Sequence, residues 1–171
     1  MKLINIKTFD SEIIEVEWGA ARQSLIIRKM LEILEEKMLQ EKIIEEKIYK
    51  KENIIPISNE KVTGSVFKKA LVWMENNRGY PDFKEDIDDK LLKKKKWNQL
   101  NEWENQYIEM PVEDMIPLLV CGDYLEIEGL VKLMIKAIAL QINGKRSEEE
   151  IRKTYKIEDP KLLRQLRTFL D

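Results

Sequence analysis

The sequence contains no histidine and only one cysteine, Cys121, in 171 residues. Histidine is the commonest general base and metal ligand near neutral pH, so its absence removes the usual centre of both kinds of site. One thiol cannot close an intrachain disulfide or build a cysteine-based zinc site. Glycine occurs six times, and no glycine-rich phosphate loop can be assembled from those positions. Long apolar runs are missing too. The most apolar stretch, Met115 to Val120, falls far short of the ~20 residues a membrane span needs. The first residues, Met1-Lys2-Leu3-Ile4-Asn5-Ile6-Lys7-Thr8, alternate polar and apolar and lack the apolar block of a signal peptide. No Asn-X-Ser/Thr acceptor occurs. The lone thiol and seven methionines fit a reducing compartment, so the expected localisation is cytoplasmic and nuclear.

What the chain does have is charge of both signs. Thirty basic residues nearly cancel thirty-two acidic ones, for a net charge of -2, and 36% of the chain is charged. This balance weighs against a general nucleic-acid binder, whose phosphate contacts need a basic excess. Hydrophobic residues make up 43%, enough to build a core at this length.

Periodicity divides the chain into short elements. Lys2 to Lys7 and Glu12 to Glu17 alternate around the turn-like Phe9-Asp10-Ser11, the pattern of a β-hairpin. Ala20 to Glu36 carries Leu25, Ile26, Ile27, Met30, Leu31 and Leu34 at helical spacing. The charged segment 35–52 continues as either an extended helix or a solvated insertion. Asn53 to Ile57 reads as a short extended segment, and Pro56 places it at a sheet edge. Ser58 or Asn59 is expected to cap a following helix with Val62, Val66, Phe67, Ala70, Leu71 and Met74 on its apolar side. A long charged connection over 80–96 follows, then a short helix around Leu100 to Tyr107. Asp114 is the expected N-cap of a helix from Met115 to Asp123, with Pro117 in its first turn. The next helix spans Gly129 to Ile142, with Asn143-Gly144 as its stop. Ser147 and Glu150 have capping-box spacing, and Pro160 opens a final stripe of Leu162, Leu163, Leu166 and Leu170.

Few residues in this pattern suggest chemistry. The acids from Asp82 to Asp89 lack the glycine and terminal glutamate of a calcium loop, and read as a solvated charge run. Lys93 to Lys96 reads as a loop self-neutralised by those acids, as an import signal or as a patch for an acidic partner. Cys121 lies among Leu118, Leu119, Val120 and Gly122, where a thiol behaves as a small hydrophobe. No catalytic, metal or cofactor residues are assigned.

The informative element is the helix from Gly129 to Ile142. Leu130, Leu133, Met134, Ala137 and Leu140 form one apolar stripe, and Val131, Ile135, Ile138 and Ile142 form a second. A surface helix needs only one stripe, about 100° wide. A helix apolar on two sides is either a central core helix or lends one face to a partner. With the apolar excess of the preceding helix (Met115, Ile116, Leu118, Leu119 and Val120), an exposed groove is one expectation.

Several stretches then carry a family likeness. They are Lys7 to Leu31, with Ser11-Glu12-Ile13-Ile14-Glu15-Val16 and Arg22-Gln23-Ser24, then Ile55-Pro56-Ile57-Ser58-Asn59, and Val72-Trp73. The strongest are Asp123-Tyr124-Leu125-Glu126-Ile127-Glu128-Gly129-Leu130 and the run from Gly144 to Ile157. Over about two thirds of its length the chain resembles the S-phase-kinase-associated protein family, the small adaptors that join F-box proteins to a cullin in SCF ubiquitin ligases. The resemblance implies an α+β BTB/POZ fold, a short β-sheet flanked by helices, with additional C-terminal helices. It implies a BTB/POZ domain over residues 1–127 and an F-box-binding extension over 128–171. Ile116, Val120, Val131, Ile135, Ile138, Ile142, Ile151 and Tyr155 would line the F-box-binding face, and Asp123 and Tyr124 the cullin-binding side. The implied role is a non-enzymatic adaptor in ubiquitin-dependent protein catabolism, without cofactor, nucleic acid or membrane partner.

The chain departs from the family at three places. Asp123 stands where members usually carry Asn, and segment 35–52 replaces a usually acidic loop. The sequence closes at Asp171 without the family's Trp-Cys ending, for which Leu162 to Leu170 can substitute. Two alternatives follow: an F-box-binding scaffold without cullin, and a self-associating BTB module. An unpartnered groove is also expected to favour a homodimer. On the adaptor reading, Ile135→Asp is expected to abolish F-box binding, read by co-purification, and to leave the fold helical.

Overall fold

In the computed structural model, which describes residues 3–41, 54–78, 100–141 and 148–170, the two alternating runs pair as expected. β1 (Leu3–Lys7) and β2 (Ile13–Glu17) are antiparallel, with Leu3 opposite Glu17 and Lys7 opposite Ile13. Alternate side chains of a strand take opposite faces. Ile4, Ile6, Ile14 and Val16 are therefore buried, while Leu3, Lys7, Ile13 and Glu15 face solvent. β3 (Ile54–Pro56) lies parallel to β1, giving the order β2-β1-β3. Pro56 has no N–H to donate and sits on an edge strand. The ladder resumes at Ile57, whose N–H donates to the Lys7 carbonyl at 2.8 Å.

The described residues up to Arg78, together with Pro117 to Lys132, form one compact unit. Its helices are α1 (Trp18–Ala21), α2 (Leu25–Glu41) and α3 (Gly64–Asn76). The single helix expected over 20–36 is instead two. Residues 22–24 break it, and Ser24 restarts it by accepting the Ile27 N–H at 3.1 Å, the geometry of an N-cap. α2 then runs to Glu41; the rest of segment 35–52 lies outside the described residues. Among its described side chains, Ile27 and Leu31 are the buried ones.

The start of α3 corrects a second expectation. Neither Ser58 nor Asn59 caps it. Asn59 closes a turn, accepting the Lys61 N–H at 2.9 Å. The carboxylate of Asp10, in the hairpin turn, accepts the Gly64 N–H at 3.0 and 3.1 Å. A carboxylate suits the positive end of a helix, and here it comes from 54 residues away. Glu12 pairs with Lys68 and Glu17 with Arg78, so α3 runs beside β2. Gly64 leaves room for this arrangement: an added Cβ would lie 1.8 Å from the Glu12 carboxylate.

The other unit holds the remaining described residues up to Ile116 and from Leu133 onward. α4 (Glu102–Tyr107) opens on a full capping box: Asn101 Oδ1 accepts the Glu104 N–H at 2.7 Å, and Glu104 Oε2 accepts the Asn101 N–H at 2.9 Å. Trp103 and Tyr107 stack one turn apart, with ring centroids 5.0 Å apart. α5 (Val112–Tyr124) contributes residues to both units. It starts earlier than expected, at Val112 rather than after Asp114, so Pro117 is inside the helix. Proline has no N–H, and the Glu113 carbonyl therefore lacks its i+4 donor. α6 (Glu128–Gln141) is likewise shared. α7 (Glu148–Tyr155) and α8 (Pro160–Leu170) complete the second unit. Asp159 starts α8, its carboxylate accepting the Lys161 N–H at 2.8 Å. The expected cap at Ser147 and the stop at Asn143-Gly144 lie outside the described residues.

Two predictions follow from these contacts. A Cβ on Gly129 would sit 2.6 Å from the buried ring of Trp73. Gly129→Ala should therefore destabilise by about 1–3 kcal/mol in urea titration, although the same change in an open helix gains about 1 kcal/mol. Asp10 is held below the ordinary carboxylate range, first by the Thr8 hydroxyl and then by backbone donors such as Gly64. A lowered folded-state pKa adds stability above the unfolded value of about 3.9, and this is lost as pH falls through the folded one. Asp10→Ala should lower stability at neutral pH and narrow the gap to wild type in acid, measured by thermal melts from pH 7 to 2.

Candidate functional site

The site begins with the connection between α5 and α6. α5 ends at Tyr124, and the chain turns through Leu125, Glu126 and Ile127 into α6. The Ile127 N–H donates to the Gly122 carbonyl at 2.8 Å, and the Glu126 N–H to the Asp123 carbonyl at 3.1 Å. These are the two bonds of a Schellman C-cap. Its left-handed position is occupied by Glu126 (φ 51) rather than glycine. Asp123 and Tyr124, the expected cullin-binding residues, are therefore the last two residues of α5, both half-buried. Gly122 lets α6 approach: an added Cβ there would meet Val131 at 3.2 Å and Leu130 at 3.4 Å.

Sequence reasoning does not find Ser24 in this part of the molecule. Its side chain is fully buried, and its hydroxyl donates to the Leu125 carbonyl at 2.5 Å across 101 residues. The local signal was present, since Ser is a preferred N-cap, but nothing in the sequence links it to the turn.

Apart from Leu140, the described residues of both stripes of α6 are buried. Leu130, Leu133, Met134 and Ala137 are covered, and so are Val131 (8% exposed), Ile135 (2%) and Ile138 (0%). Ile116 and Val120 on α5 are half-buried, and Leu140 is exposed. Of the two readings of this helix, burial of the second stripe fits the central core helix rather than the open groove. In the free chain that stripe is covered by the chain's own residues. Ile135 and Ile138 share their unit with Ile151, Ile157, Leu162, Leu163 and Leu166, all buried. Tyr155 is the last residue of α7, and Ile142 lies outside the described residues. The burial also revises the Ile135→Asp expectation. A carboxylate there would be buried, at a cost large enough to threaten the fold, so a truncation such as Ile138→Ala is the cleaner probe.

Electrostatics offer no reactive group here. Burial pushes the Cys121 thiol up from 9.0 to about 12, which leaves it protonated and unreactive at neutral pH. Among the described residues no group of three or more acidic or cysteine side chains could hold a metal ion. None of their helices is long and apolar enough to cross a membrane. The acidic run 82–89 and the lysine run 93–96 lie outside the described residues.

A small sheet backed by helices, with further helices at the C-terminal end, is an α+β fold of the BTB type. Residues 128–160, from the start of α6 to the start of α8, match the Skp1 family, dimerisation domain. The chain is 30% identical over 91% of its length to the "E3 ubiquitin ligase complex SCF subunit sconC" of Arthroderma benhamiae, covering 84% of it. It is 29% identical to the protein of the same name from Talaromyces marneffei, over 91% of this chain and 85% of that one. It is 28% identical to "Suppressor of kinetochore protein 1" of Schizosaccharomyces pombe, over 92% and 86%. The chain belongs to the Skp1 family.

The raised thiol generates a direct check. Native protein at pH 7.5 should resist alkylation of Cys121 by iodoacetamide, and guanidinium-unfolded protein should be labelled fully, as read by intact mass.

Proposed function

We propose that this protein is a non-catalytic adaptor of an SCF-type ubiquitin ligase, holding an F-box protein on one surface and a cullin on another. The observation that carries this reading is the extended similarity, over 91% of the chain, to proteins named as SCF subunits. The F-box side is assigned to Ile116, Val120, Val131, Ile135, Ile138, Ile142, Ile151 and Tyr155, and the cullin side to Asp123 and Tyr124. Ile116 and Val120 support the first assignment, because they are apolar side chains of α5 that the chain leaves half-buried. A few buried apolar anchors would supply the affinity, and charged neighbours the specificity. The half-buried position of Asp123 and Tyr124 at a fixed helix end supports the second. The single, buried cysteine suits a cytoplasmic and nuclear adaptor.

Asp123 favours one further reading, an F-box-binding scaffold without cullin. A carboxylate at an interface carries a desolvation cost that an amide does not.

Size-exclusion chromatography with an F-box peptide, and separately with a cullin N-terminal domain, tests the proposal. Co-elution with both is the expected result. F-box binding alone would select the scaffold reading, and binding to neither would end the adaptor assignment. Ile138→Ala should weaken F-box binding by about tenfold or more while cullin co-elution persists.

A further inference from the structure

We infer that Ser24 is a positioning residue for the cullin contact, its buried hydroxyl fixing the turn that presents Asp123 and Tyr124. The inference rests on the proposed assignment of those two residues to the cullin side. Three observations carry it.

The first is direction. A serine hydroxyl has one proton to donate and lone pairs to accept with. The Ile27 N–H donates into Ser24 Oγ at 3.1 Å, and the hydroxyl proton goes to the Leu125 carbonyl at 2.5 Å. The N-terminus of α2 therefore orients the donor that reaches the turn.

The second is which peptide is held. The Leu125 carbonyl and the Glu126 N–H belong to one planar peptide unit. The N–H is bound by the Asp123 carbonyl at 3.1 Å and the C=O by Ser24. The unit is fixed at both ends, and one of its anchors is the backbone of Asp123 itself. Tyr124 lies between the two.

The third is need. Glu126 sits in the left-handed region (φ 51), which a residue with a Cβ adopts only at a cost and only when its surroundings hold it there. Ser24 and Leu125 are both fully buried, so no water replaces the hydroxyl once it is removed. A buried carbonyl left without a donor favours a different turn.

The test is calorimetric titration of folded variants with a cullin N-terminal domain and, separately, with an F-box peptide. Ser24→Ala should weaken cullin binding by about tenfold or more and leave F-box binding unchanged. Ser24→Thr, which keeps the hydroxyl, should recover much of the loss. Adding Glu126→Gly to Ser24→Ala should also recover part of it, because glycine takes the left-handed conformation without support. Val62→Ala, a cavity elsewhere in the same unit, should lower the melting temperature without weakening cullin binding. Should Ser24→Ala not fold, Ser24→Cys keeps the volume with a weaker donor and should show the same split. Wild-type cullin affinity in folded Ser24→Ala would overturn the inference, as would an equal loss in Val62→Ala. If the wild-type chain binds no cullin, the underlying assignment fails. Faster amide exchange at Glu126 and Ile127 in Ser24→Ala would then still separate that failure from an error about the turn.

Discussion

The structure depends most on the absence of a side chain at residue 129. The Trp73 ring occupies the space a Cβ would take, 2.6 Å from its place. The first turn of α6 can therefore lie directly against the Trp73 ring that α3 carries. Gly122 does the same for α5 and α6, with Val131 and Leu130 filling its space. Gly64 admits the Glu12 side chain at the head of α3. The chain has only six glycines, and three of them are spent at contacts between elements rather than in turns. The turn after α5, where glycine would be the ordinary choice, has Glu126 instead. Among the described residues, glycine at these contacts and Glu126 at this turn show one pattern: backbone conformation is enforced by packing and remote hydrogen bonds.

The polar devices show the same dependence on distant partners. The start of α3 is capped by Asp10 in the hairpin turn, and the turn after α5 is held by Ser24 at the start of α2. A local cap would serve its helix alone. A remote one works only when both segments are in place, so local order and tertiary assembly rise and fall together. This is the consistency across levels expected of a cooperative fold.

That design also explains what the sequence made legible. Short-range signals read correctly: the alternating hairpin, Pro56 on an edge, Pro160 opening the last helix, and the start of α6 to within one residue. One error came where a distant residue replaced a local signal, and others where a competing local signal was passed over. Asn59 has the chemistry of a cap, yet Asp10 does the capping. Asp114 reads as an N-cap before Pro117, yet the helix begins at Val112, with the Pro111 carbonyl accepting the Asp114 and Met115 N–H groups and the proline inside. Asn101 and Glu104 form a capping box that the aromatic spacing of Trp103 and Tyr107 obscured. The candidate site divides in the same way. Its residue types and stripes were visible, but Ser24 was not, because its link to Leu125 spans 101 residues.

The burial of the second stripe bears on how an adaptor of this kind would work. An open groove of Val131, Ile135 and Ile138 would expose a continuous apolar surface, and such surfaces associate with whatever apolar partner is available. In the free chain these three side chains are at most 8% exposed. A partner helix using this face must replace an existing cover rather than fill a void. Its apparent affinity is then reduced by the fraction of chains in the open state. Binding therefore requires a partner whose apolar anchors outcompete the chain's own. The apolar gain on binding is only the difference between two buried states, so fit at individual anchors weighs more than total area. A covered face gives up affinity for selectivity.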